Sequence, residues 1–151
     1  MRMKIVFVCT GNTCRSPMAE IIMKNKLKSA GISKVRVSSA GVSAVDGEKM
    51  SKNSFDALKE LGYKPYGFKS KMITEKIVRT ADIVVCMTDR HKLFFKGFKN
   101  VTTMDELAGL GNVPDPYGQG MDVYLKTAYF ISAACEIILT RLINEKGDIL
   151  K

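Results

Sequence analysis

Cys9 and Arg15 bracket a run of small residues, Thr10, Gly11, Asn12, Thr13 and Cys14, and Ser16 follows the arginine directly. Upstream, Val6-Phe7-Val8 has the β-branched and aromatic character of a buried strand. Downstream, Ser16-Pro17-Met18-Ala19-Glu20 reads as a helix start, with Ser16 suited to cap it and Pro17 to its first turn. A seam between strand and helix offers unpaired N–H groups and the positive end of a helix dipole. A tight loop of small residues turns further N–H groups inward as an anion nest. Gly11 and Asn12 tolerate the left-handed backbone such a loop needs. Arg15 adds a planar fork that holds two oxygens of one phosphoryl group. The expected ligand is a tetrahedral oxyanion.

Cys9 stands at the base of that nest, where every group that attracts phosphate also favours a thiolate. A thiolate beneath a bound phosphoryl group is placed for in-line attack, giving a cysteinyl-phosphate that water then hydrolyses. The hydroxyl of Ser16 can donate one more hydrogen bond. The loop lacks the GxxxxGK[ST] pattern of nucleotide-binding loops. The chemistry also needs an acid for the leaving group and a base for the water. Asp115, in Pro114-Asp115-Pro116-Tyr117, is the candidate. Its prolines stiffen it, and a residue before proline is steered to an extended backbone. Tyr117 is expected to wall the pocket and partly desolvate the carboxyl. His91, the single histidine, is expected on a surface helix outside this machinery.

The elements that must position these groups follow from periodicity and punctuation. Met3 to Cys9 reads as a buried strand, and a helix follows to about Ala30, where Gly31 stops it. Lys34 to Ser39 is a second strand, and Ser51 to Leu61 a helix closed by Gly62. Thr74 to Thr80 is a short helix, Asp82 to Met87 a third strand, Arg90 to Lys96 helical, and Asn100 to Thr103 a short fourth strand. A turn-rich stretch, GLGNVPDPYGQG, precedes a long helix from about Asp122 to Asn144. Its Ile131, Ile137, Ile138, Leu139 and Leu142 are expected to pack on the sheet. Strands alternating with helices argue for an α/β sandwich around a small parallel sheet. Ligands of such sheets sit at the carboxyl ends of the strands. With no Pro/Ser-rich linker, residues 1–151 read as a single domain.

Composition bounds the rest. Hydrophobic residues make up 46% and charged residues 26%, an ordinary globular balance. No apolar segment reads as a signal peptide or as long enough to span a membrane, so the expected compartment is the cytoplasm. The four cysteines, 9, 14, 86 and 135, do not form a disulfide framework, and Cys9 and Cys14 are too far apart for a zinc knuckle. No metal is expected. The formal charge of +9 suits phosphorylated partners or a lysine-rich solvated surface equally. Without a zinc-finger or ribonucleoprotein signature, no nucleic-acid partner and no membrane partner are expected.

Taken together, Cys9-x5-Arg15-Ser16 near the N-terminus and Asp115-Pro116-Tyr117 far downstream resemble the low-molecular-weight protein tyrosine phosphatase family. Ser39-Ala40-Gly41 and Val85-Cys86-Met87 extend the likeness over essentially the whole chain. The resemblance implies a three-layer α/β sandwich with a four-stranded parallel sheet, of the phosphotyrosine protein phosphatase I type. It implies Cys9 as nucleophile, Arg15 as phosphoryl ligand and Asp115 as acid and then base. Thr10, Gly11, Asn12, Thr13, Cys14, Ser16 and Tyr117 would line or shape the substrate site, Ser16 supporting the thiolate and Asn12 the loop's shape. It implies a phosphorylated protein as substrate, inorganic phosphate as product, and no metal or organic cofactor. Within the family, some members act on phosphoarginine and carry threonine in mid-loop, as Thr13 here, where tyrosine enzymes usually carry an aliphatic residue. Tyrosine enzymes also tend to follow Asp-Pro with two aromatics, whereas Gly118 follows Tyr117 here. Phosphoarginine is therefore favoured, with phosphotyrosine close behind because Tyr117 can stack on a phenyl ring. Arsenate reduction would need resolving cysteines beyond Cys86, and Met87 to Phe98 holds none. A non-catalytic phosphate-binding module would leave Cys9 and Asp115 unexplained. Cys86 and Cys135 are expected in the core. Cys14 either points into the core behind the loop or meets Cys9 in a protective disulfide under oxidation.

Overall fold

The computed structural model describes residues 2–145. Four parallel strands, β1 (Met3–Cys9), β2 (Val35–Gly41), β3 (Ile83–Cys86) and β4 (Val101–Thr103), form one sheet in the order β2-β1-β3-β4. Register runs from Met3 opposite Val35 to Cys9 opposite Gly41 on one edge of β1, and from Ile5 opposite Ile83 to Val8 opposite Cys86 on the other. The helices are α1 (Arg15–Ser29), α2 (Lys52–Glu60), α3 (Glu75–Thr80), α4 (Asp89–Lys92), α5 (Met104–Ala108) and α6 (Met121–Glu145), with a 3-10 turn over Leu93–Phe95.

Alternation along the strands builds two cores. Ile5, Phe7, Cys9, Ile83 and Val85 share one with Met18 and Ile22 of α1, Leu58 of α2, Met104 of α5, and Ile131 and Ile138 of α6. Val6, Val8, Val84 and Cys86 share the other with Val78 of α3 and Phe95. Each fully buried Phe or Ile here contributes about 1.5–3 kcal/mol. The result is the expected three-layer sandwich with four parallel strands. Turn chemistry placed most boundaries. Gly31 and Gly62 adopt φ of 70° and 86° just past α1 and α2, and Ser51 accepts from the Ser54 amide at 3.2 Å to cap α2.

The structure also departs from expectation. Helix α1 begins at Arg15, and no side chain caps it. Ser16 therefore lies inside the first turn, and its hydroxyl is used elsewhere. Helix α5 was not foreseen. Thr103 caps it by accepting from the Glu106 amide at 3.0 Å, and Gly109 closes it in the left-handed region. In α6, Ile131, Ile138, Leu139 and Leu142 are buried, but Ile137 lies on the outer face. By length and composition α6 could cross a membrane, contrary to the expectation that no segment could. Its apolar side is instead spent on the core, with Ala128, Ile131, Ala134, Cys135 and Ile138 buried in the layer formed with α1 and α2.

Candidate active site

The loop from Cys9 to Arg15 leaves the end of β1 and wraps over the start of α1. The carbonyls of Cys9, Thr10, Asn12 and Thr13 turn away from the amides and are satisfied by neighbouring segments. Val42 N donates to Cys9 O (3.0 Å), Ser43 N to Thr10 O (2.9 Å) and Ser51 N to Thr13 O (2.9 Å). Ser70 Oγ donates to Asn12 O. The amides of Gly11, Asn12, Thr13 and Cys14 have no partner among the described residues. Outward carbonyls and unspent amides define the anion nest. Asn12 holds the turn at φ 55°, the left-handed conformation, while Gly11 does not adopt a positive φ as expected. A polar side chain that bonds locally makes this angle tolerable.

That side chain organises the thiol. Asn12 Nδ2 donates to Ser16 Oγ at 2.8 Å and to Ser39 Oγ at 3.0 Å. Lys71 N donates to Asn12 Oδ1 at 3.0 Å. Ser16 Oγ lies 2.8 Å from Cys9 Sγ. Ser16 Oγ accepts from Asn12, and its one proton faces two acceptors, Ala40 O at 3.4 Å and the nearer sulfur, which draws it when ionised. Ser39 passes the chain on, donating to Glu20 Oε1 at 2.9 Å. Buried Glu20 also receives the Tyr66 hydroxyl. Burial and that carboxylate raise the Tyr66 phenol above its usual range. Among the described residues every buried side-chain polar atom has a partner, so the network rigidifies the site without a desolvation penalty left unpaired.

Arg15 is buried, and its fork closes the other side. Nη1 donates to Val113 O at 3.3 Å, and Nη2 stands 3.6 Å from Asp115 Oδ2. Val113 N in turn donates to Met87 O at 3.0 Å, stitching the acid loop to the end of β3. Tyr117 N donates to Asp115 Oδ1 at 3.1 Å, an Asx turn made by the loop itself. Asp115 is 57% exposed and Tyr117 77% exposed. The tyrosine thus borders the mouth of the cleft but does not desolvate the carboxyl, contrary to expectation.

His91 is the clearest correction. It is buried, not on a surface face, because Nε2 pairs with Thr10 Oγ1 at 2.9 Å and Nδ1 with Thr88 Oγ1 at 3.0 Å. Burial and the nearby Arg15 and Arg90 charges outweigh Asp115 and bring its pKa down to about 4. A neutral ring then buttresses the first residue of the nest. On the opposite side, the Cys14 thiol lies 3.4 Å from Tyr124 Oη and 3.6 Å from Ser51 Oγ. Burial, then Cys14 itself, pushes the Tyr124 phenol up to about 12. Cys86 and Cys135 are in the core as expected, and burial pushes both thiols up to about 12.

Cys9, Thr10, Gly11, Thr13, Cys14, Arg15, Asp115 and Tyr117 line one cleft of about 300 Å³, with Glu48. Asn12 and Ser16 stand behind it. Sequence reasoning missed Glu48 and the role of His91. Glu48 sits in a loop without periodicity, and nothing in its spacing ties it to Cys9. His91 did carry a signal, since Thr88 three residues before it is a good cap that turns the histidine inward. Among the described residues, no group of three or more His, Cys, Asp or Glu gathers closely enough to hold a metal ion.

This geometry has counterparts. The sequence pattern of low molecular weight phosphotyrosine protein phosphatase matches residues 4–148. The chain is 39% identical over 132 residues to a protein-arginine-phosphatase of Bacillus subtilis (strain 168), covering 83% of this chain and 87% of that one. It is 35% identical over 130 residues to the low molecular weight protein-tyrosine-phosphatase PtpB of Staphylococcus haemolyticus, covering 83% and 89%. Its fold matches a solved structure of the YwlE arginine phosphatase, a cysteine-to-serine mutant with a phosphorylated active-site serine. The TM-score is 0.88 at 33% identity, over 99% of this chain and all of that one. With the family pattern spanning nearly the whole chain and relatives of both kinds matching most of it, the protein belongs to the low molecular weight phosphotyrosine protein phosphatase family and is a protein phosphatase.

Proposed function

We propose that the protein hydrolyses phosphoarginine in protein substrates, through a cysteinyl-phosphate on Cys9. The observation that carries the chemistry is the chain Asn12 to Ser16 to Cys9 beneath four unspent amides. The phosphoryl group sits in the nest and on the Arg15 fork. Cys9 Sγ attacks phosphorus, the bond to the leaving nitrogen or oxygen breaks, and Asp115 gives that atom its proton. Water then attacks the cysteinyl-phosphate, Asp115 takes a proton back, and inorganic phosphate departs with the thiolate restored. The phosphorylated serine of the YwlE mutant supports the covalent step by analogy.

Thr13 favours phosphoarginine. It lines the cleft with a hydroxyl where an aliphatic side chain would pack against a phenyl ring. The single aromatic wall, Tyr117 followed by Gly118, points the same way. The second reading is phosphotyrosine, supported by Tyr117 at the mouth and by the PtpB relatives. Deeply buried Cys86 and Cys135, with thiols held protonated, speak against an arsenate-reducing disulfide relay. We place the enzyme in the cytoplasm as a single unit needing no cofactor.

The test is kcat/KM on one peptide carrying either phosphotyrosine or phosphoarginine, with Cys9→Ser as blank. Phosphoarginine preference that is lost in Thr13→Ile supports the reading. Phosphotyrosine preference in the wild type overturns the choice of side chain. No turnover above the blank overturns the chemistry, and retained phosphate binding by that blank would then mark a non-catalytic module.

A further inference from the structure

One carboxylate of the cleft, Asp115, is accounted for as the acid, yet a second, Glu48, lines the same cleft as Cys9, Arg15 and Thr13. The chain carries a formal charge of +9, so lysines to neutralise a stray carboxylate abound. Glu48 nevertheless makes no ion pair among the described residues. Its backbone is pinned. Ser70 N donates to Glu48 O at 2.8 Å, Gly47 N donates to Ser70 O at 2.8 Å, and Ser70 Oγ reaches Asn12 O in the nest. The loop that carries Glu48 is therefore fastened to the loop that binds the phosphoryl group. Its side chain is exposed, free to meet a ligand and irrelevant to the core.

We propose that Glu48 is a specificity-determining residue that binds the guanidinium of a phosphoarginine substrate. The inference rests on the phosphoarginine reading above. Phosphoarginine places a delocalised cation with N–H donors directly beside its phosphoryl group. A carboxylate accepts two parallel hydrogen bonds from such a fork. Phosphotyrosine places an uncharged ring there, and the same carboxylate then only repels the incoming dianion. Glu48 thus raises affinity for one substrate and lowers it for the other, which is how a site gains discrimination from a single charge. Thr13 supplies the polar space and Glu48 the countercharge.

The experiment compares Glu48→Gln and Glu48→Asp with wild type on the two phosphopeptides. Removing the charge at nearly constant shape should lower kcat/KM for phosphoarginine roughly five- to tenfold and raise it modestly for phosphotyrosine. Glu48→Asp should recover part of the loss, and the wild-type preference should weaken with added salt. Equal changes on both peptides, or none on either, overturn the proposal. If the wild type does not turn over phosphoarginine, the substrate reading falls separately. Glu48 is then judged by inhibition of p-nitrophenyl phosphate turnover with L-argininamide. Weaker inhibition in Glu48→Gln supports guanidinium binding, and unchanged inhibition overturns it.

Discussion

The amide of Asn12 donates to the hydroxyl of Ser16 at 2.8 Å, and this bond holds the serine oxygen beside Cys9. Ser16 then donates to the ionised Cys9 Sγ, 2.8 Å away, in preference to Ala40 O at 3.4 Å. Asn12→Gly keeps the left-handed turn and loses the amide, whereas Asn12→Ala loses both. Each should lower kcat roughly ten- to a hundredfold, the worth of a hydrogen bond to a charged group. Urea unfolding should find the alanine variant about 1 kcal/mol less stable than the glycine one. Wild-type kcat in Asn12→Gly would show that Ser16 orients without help.

Asp115→Asn removes the proton donor and preserves the side chain's shape. With a phosphopeptide, kcat should fall by roughly 10²–10⁴, and with a good phenolate leaving group by less. Folding stability should change little, because the pair with Arg15 spans 3.6 Å and the carboxylate is largely exposed. Equal losses with good and poor leaving groups would remove Asp115 from the acid role.

His91 makes stability depend on pH in a defined window. Its pKa falls from 6.5 unfolded to about 4 folded. Between those values the unfolded chain holds the proton and the folded one does not, so stability drops as pH falls from 6.5 towards 4. The loss reaches about 3 kcal/mol at the bottom of the window and is absent at pH 7. Denaturant midpoints at pH 7 and pH 4.5 should differ more for wild type than for His91→Gln. The same difference in both proteins would mean that carboxylates alone govern the acid limb.

Gly41 lies where β2 ends against the nest. A Cβ there would meet Asn12 N at 2.9 Å and Thr10 O closer still, both of them backbone atoms that cannot swing aside. Gly41→Ala should therefore push the loop off its geometry, costing roughly 1–3 kcal/mol of stability and weakening phosphate inhibition. Unchanged phosphate inhibition in a folded Gly41→Ala protein would count against a rigid nest.

Much of this was legible in the sequence because its signals are local. Val6-Phe7-Val8, Gly31, Gly62 and Ser51 fix elements through period and backbone chemistry that act within a few residues. Cys9, Arg15, Ser16 and Asp115 announce themselves by chemical type. What escaped depends on contacts between distant segments. Helix α5 is too short to show a period. His91 turns inward only because Thr10 and Thr88 await its two nitrogens. Ser16 leaves its capping role because Asn12, itself held by Lys71, reaches it first. Glu48 enters the cleft through Ser70, a residue with no chemical signature of its own.

Strand β1 is paired along both edges, whereas residues 113–120 carry no regular element. The two halves of the reaction therefore rest on different free energies of opening. Amide protons of β1 should exchange with solvent only when the whole molecule unfolds, and those around Asp115 through small local excursions. Under mild denaturant or heat the acid should lose its place long before the thiol does. Partial stress should then leave a protein that still binds inorganic phosphate but transfers a phosphoryl group from a poor leaving group only slowly.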